Sequence, residues 1–189
     1  MTKTEIVHIK NELTKKGIVL DSGLSNKEIV AIELQYAFNF PPDLKELLTN
    51  FLPVSERFPN WRKSLVDSTI ENSIKDKMYW PFEGMLFDIE NNEFWIEEWG
   101  KKPNDEDQRK NIAFLNYNTY PKLIPIYSHR YIPSEPNEAM NPIFSVHQMD
   151  IIYYGTDLFN YFVSEFALEN TNQRSKTQDD IKPIRFWGE

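Results

Sequence analysis

The spacing of apolar residues changes along this chain, and that change is the strongest constraint on its fold. In the first third, apolar side chains recur every three or four residues: Ile6, Ile9 and Leu13, then Ile29, Ile32 and Tyr36, then Leu44, Leu47, Leu48 and Phe51. That period gathers each set on one face of a helix. Start and stop signals agree with it. Gly17 follows Lys15 and Lys16, Ser25-Asn26-Lys27-Glu28 has the form of a capping box, and Pro41-Pro42-Asp43 opens a helix with proline in its first turn. Later, short aromatic and β-branched runs replace the helical period. Leu123-Ile124-Pro125-Ile126-Tyr127, Pro142-Ile143-Phe144-Ser145-Val146 and Asp150-Ile151-Ile152-Tyr153-Tyr154 read as strands. Gly155-Thr156-Asp157 then caps a last helix carrying Leu158, Tyr161, Phe162 and Phe166. Helices followed by a run of strands predict one α+β domain, a mostly antiparallel sheet backed by N-terminal and C-terminal helices.

Between these halves the pattern is less regular. Residues 62–77 read as a further helix of low hydrophobicity. Residues 78–89, aromatic and interrupted by Pro81 and Gly84, read as a bent strand or two short ones, because proline and glycine weaken a helix interior. Asn91-Asn92 signals a turn and Phe94-Trp95-Ile96 a partner strand. Residues 101–107 read as a loop, followed by a weak helix ending near Tyr117. Residues 169–182 are polar and predict a flexible excursion. Ile184-Arg185-Phe186-Trp187 is too apolar to be left in water and is expected to dock on the domain.

Composition excludes several classes of function. With 13 Phe, 9 Tyr and 5 Trp in 189 residues, the chain can build a large core without staples. It has no cysteine, so disulfides, thiolate metal sites and thiol nucleophiles are absent. No stretch approaches the roughly 18 apolar residues of a membrane span, and the first sixteen residues lack the apolar run of a signal peptide. A cytoplasmic protein without membrane contact is the expectation. The net charge of −8 argues against a nucleic-acid surface, which needs clustered Lys and Arg.

Signals for chemistry are sparse. Of the three histidines, His8 falls in the first helix, and His129 and His147 flank strands without an HxH or HExxH spacing. Ser128 neighbours His129, but no Gly-x-Ser-x-Gly elbow is present. The six glycines form no phosphate cradle, so no cofactor is expected. Glu97-Glu98, or Glu90 with Glu93, could in principle serve a carboxylate-dependent hydrolase, but such acidic runs are common solvated faces.

The distribution of charge is more informative. Nine acids between residues 83 and 107 oppose only Lys101 and Lys102, so this segment holds −7 of the net −8. Large aromatics are mixed among those acids. A strand presents two faces, so part of this mixture is core and solvated acid, and part suits a docking surface in which aromatic anchors supply burial and a negative field attracts a basic partner. The candidate partner-binding residues are Glu83, Asp88, Glu90, Glu93, Trp95, Glu97, Glu98 and Trp99.

Several segments, taken in order, resemble the SUKH superfamily, which includes the Smi/Knr-like fungal cell-wall regulators and many bacterial toxin-immunity proteins. They are Pro41-Pro42-Asp43-Leu44-Lys45-Glu46-Leu47-Leu48, Trp80-Pro81-Phe82-Glu83-Gly84, Phe94-Trp95 with Trp99-Gly100, Pro121-Lys122-Leu123-Ile124-Pro125-Ile126, Asn141-Pro142-Ile143-Phe144-Ser145-Val146 and Tyr154-Gly155-Thr156-Asp157-Leu158. The resemblance implies a SUKH-like domain over residues 1–168, followed at 169–189 by a polar tail with the docking Phe-Trp segment. Residues 62–77 and the tail exceed the minimal domain. It implies no enzyme and shares no catalytic or ligand motif. What it implies is a cytoplasmic immunity protein that binds and neutralises a cognate toxin, often a basic nuclease; the alternative is a regulatory protein-binding scaffold of the Smi/Knr-like type.

Overall fold

The computed structural model describes residues 1–169 and 181–188. The second and third helices begin where their start signals predict, and the first has a cap of its own. Thr2 with Glu5, and Ser25 with Glu28, close reciprocal capping boxes at the starts of α1 (Lys3–Lys15) and α2 (Asn26–Tyr36). Pro42 occupies the first turn of α3 (Pro42–Asn50), where its missing N–H costs nothing. The strands β1 (Leu20–Ser22) and β2 (Phe51–Pro53) pair antiparallel and tie these helices together. Arg62, on the short α4 (Trp61–Ser64), straps the group from outside: it donates to Glu28 at 2.6 Å and to the carbonyls of Ser22 and Gly23 at 3.1 and 2.8 Å.

The second sheet is an antiparallel meander in chain order, β3 (Leu123–Tyr127), β4 (Arg130–Pro133), β5 (Ile143–His147) and β6 (Asp150–Gly155). Side chains alternate across it. Ile124, Ile126, Ile132 and Ile143 enter the main core with α1, α2, α3 and α7 (Leu158–Glu165). Leu123, Tyr131, Phe144 and Val146 point to the other face, where Ile184 and Trp187 cover them. Both termini therefore supply helices to one side of an antiparallel sheet, as an α+β fold requires. β4 goes beyond the strands expected from sequence, being four residues long and closed by Pro133. Apart from its edges, the polar excursion expected at residues 169–182 lies outside the described residues.

The largest correction concerns the middle of the chain. Residues 78–89 are not strands; they belong to α5 (Ser68–Asn91), a helix of 24 residues with Pro81 inside it. Phe94-Trp95-Ile96 is likewise no strand, and leads into a single 3-10 turn, Glu97–Trp99. Proline in a helix interior removes the hydrogen bond to the carbonyl four residues earlier. Here that carbonyl is Lys77 O, and Tyr131 Oη on β4 donates to it at 2.9 Å. A buried phenol from the sheet thus replaces the missing donor, and the helix continues. Tyr131→Phe should destabilise the protein by about 1–3 kcal/mol, the usual cost of orphaning a buried polar group. Urea unfolding would measure it, and an unchanged midpoint would mean that Pro81 is accommodated by other means.

Candidate functional site

Reading residues 76–90 at helical period reorganises the acidic aromatic region. Asp76, Trp80, Glu83, Phe87 and Glu90 follow one another at alternating steps of four and three, which places them in one stripe along α5. All five are exposed, Trp80 to 50% and Phe87 to 49%. The opposite face carries Ile74, Pro81, Met85 and Ile89 into the interior.

The residues expected to bind a partner separate into four groups. Glu83 and Glu90 lie on the stripe. Glu90 forms a two-point pair with Arg109 of α6 (Glu106–Tyr117), Nε to Oε1 being 2.9 Å, and the guanidinium holds this carboxyl below its ordinary range. Glu93, Glu97 and Glu98 are exposed on the loop after α5. Among the described residues, Glu83, Glu93, Glu97 and Glu98 enter no ion pair. Lys102, one of the two cations in the segment, instead donates to Ile89 O at 2.6 Å and completes the carbonyl end of α5.

Asp88 does not belong to the exposed face. It is 6% exposed; one carboxylate oxygen accepts from Met149 N at 2.8 Å and the other from the Asn92 side chain. Its place is one helical turn beyond Gly84, whose Cα lies so close to the β5–β6 turn that an added Cβ would stand 2.6 Å from Gln148 Cα. Gly84 and Asp88 together clamp α5 to the sheet. A charge count over this segment carries no facing and therefore does not separate Asp88 from the exposed acids.

Trp95 and Trp99 are half-buried. Their rings meet edge to face at 5.2 Å, and their indole nitrogens donate to Gly100 O at 2.7 Å and Tyr120 Oη at 2.9 Å. They brace the loop that presents Glu97 and Glu98. The residues that sequence reasoning left out of the candidate set are Asp76, Trp80 and Phe87, and the step of four and three was the signal for them.

On one flank the stripe opens into a cleft of about 610 Å³ between α5 and the β3–β4 turn, lined by Asp76, Lys77, Trp80, Glu83, Ser128 and His129. Ser128 begins the two-residue turn of that hairpin with a left-handed φ of 50°. Its hydroxyl lies 3.2 Å from His129 Nδ1. Burial, reinforced by Arg130, lowers the His129 pKa, so the imidazole is neutral at neutral pH. Lys77 donates to Arg57 O at 3.3 Å, and its pKa is also lowered by burial. Among the described residues, no three His, Asp or Glu side chains converge as metal ligands, and no helix is long and apolar enough to cross a membrane.

Compared with protein-family models, with curated proteins and with solved structures, the chain matches none.

Proposed function

We propose that this chain is a cytoplasmic binding protein without catalytic chemistry of its own, an immunity protein of the SUKH type that neutralises a cognate basic toxin domain. The observation that carries this reading is the α5 stripe, where two half-exposed aromatic rings alternate with carboxylates along one face of the helix. Aromatic side chains dominate the affinity of protein interfaces, and a field of one sign raises the rate of encounter with a partner of the other. A nuclease is such a partner, because it carries a basic surface to bind phosphate. Glu93, Glu97 and Glu98 extend the negative field beyond the end of the helix.

The test is co-expression with the toxin encoded by the neighbouring reading frame, scored as rescue of growth and as affinity in vitro. Trp80→Ala and Phe87→Ala should each weaken binding about 10-fold or more. Asp76→Lys with Glu83→Lys should slow association and reduce its salt dependence, while Glu46→Lys on α3 serves as the control. Full protection by the double reversal and by both alanine variants would remove α5 as the docking ridge. Recovery of several housekeeping proteins instead of one toxin would favour a regulatory scaffold.

A further inference from the structure

A second concavity lies on the other flank of α5. It measures about 230 Å³, and its walls come from Tyr36, Met78, Tyr79, Tyr117, Tyr120 and Leu123. The walls are braced from behind. Phe186 stacks on Tyr120 with centroids 4.0 Å apart and planes 1° from parallel, and Trp187 meets Tyr117 edge to face at 5.9 Å. Trp99 fixes the Tyr120 hydroxyl. A concavity held open by such contacts needs little ordering before it binds.

Its size selects one aromatic group, since an apolar cavity of about 150 Å³ accepts benzene and free small-molecule sites usually reach about 300–1,000 Å³. Its surroundings select a polypeptide. Tyr79, 46% exposed, contacts Phe82 at 5.3 Å, and Phe82 contacts Phe114 of α6 at 5.9 Å. Phe114 and the adjacent Leu115 are themselves 48% and 58% exposed. A free aromatic ligand would fill the cavity and leave that apolar seam in water, whereas a chain entering with one side chain covers both.

The rim adds a sign. Lys75 is matched by Glu71 at 2.5 Å, but Lys122 donates only to Ala37 O, at 2.6 Å, and meets no carboxylate among the described residues. We infer that this cavity receives an aromatic anchor side chain of a protein partner, with a carboxylate beside it that faces Lys122. The site goes beyond the acidic stripe, and it can be assayed on the free protein whatever becomes of the toxin reading.

Binding of indole-3-propionate, indole and tryptamine can be followed by amide chemical shifts. Saturable shifts around Met78, Tyr117 and Leu123 are expected, with the carboxylate favoured over the ammonium by about 5-fold, a modest preference proper to a solvent-facing ion pair. Lys122→Glu, at an exposed position, should reverse that order. Met78→Trp should block all three ligands, and thermal melting would show whether it still folds. Panning a displayed library of random dodecapeptides should enrich sequences with an aromatic residue beside an acid, and these should lose binding to Lys122→Glu. Absence of saturable shifts overturns the inference. So does indole-3-propionate binding with no enriched peptide, which would mark a metabolite site, or concentration-dependent self-association through Phe114, which would mark a homodimer face.

Discussion

Trp187→Ala is expected to cost about 3–5 kcal/mol, the usual cost of truncating a buried tryptophan. For a domain whose whole stability is about 5–15 kcal/mol, that is a large share to draw from one side chain of the final segment. The expectation rests on three contacts. Trp187 is 4% exposed, its indole nitrogen donates to Pro121 O at 2.7 Å, and its ring packs on Tyr117 and, at 4.7 Å, on Phe186. Lys182 holds the approach to this segment by donating to Glu138, to Ala139 O and to Asn141, each at 3.0 Å. Urea unfolding should show a midpoint far below that of the native protein, with Trp187→Phe intermediate because it keeps burial and loses the hydrogen bond. A native midpoint for Trp187→Ala would show that residues 184–188 add nothing to the sheet.

The second large effect is one of sign. In an exposed helix interior, replacing glycine by alanine stabilises by about 1 kcal/mol. Gly84→Ala should do the opposite, destabilising by about 1–3 kcal/mol, because the new Cβ would press on the backbone of Gln148 and overpacking costs that much. Gly84→Val should cost more. The displaced helix would also lose the bond from Met149 N to Asp88, so Gly84→Ala and Asp88→Ala should be non-additive. Since this joint orients the outward face of α5, both variants should weaken partner binding without touching Trp80 or Glu83. Stabilisation by Gly84→Ala would mean that α5 does not approach the hairpin as described.

Much of the fold is legible locally. The faces of α1, α2 and α3, the capping box at Ser25, and the apolar runs of β3, β5 and β6 all report structure through neighbouring residues alone. α5 is not, because its continuity through Pro81 depends on Tyr131, fifty residues later in the chain. Nothing near Pro81 announces that a phenol will satisfy Lys77 O. The same division holds for the site. A charge count carries no facing and groups Asp88 with the exposed acids. Read at helical period it falls beside Gly84, and the outward set becomes Asp76, Trp80, Glu83, Phe87 and Glu90. The acids after the helix were found by charge count alone, which needs no periodicity.

The link from Trp187 to Pro121 also sets an order of events during translation. The helices and the meander are synthesised through residue 168 before the strip that seals the far side of the sheet exists. For that interval Leu123, Tyr131, Phe144 and Val146 lack the part of their cover that Ile184 and Trp187 supply, and a nascent chain in this state is open to aggregation or to chaperone capture. Emergence of residues 184–188, not collapse of the helical half, is the moment at which this face of the sheet is fully covered.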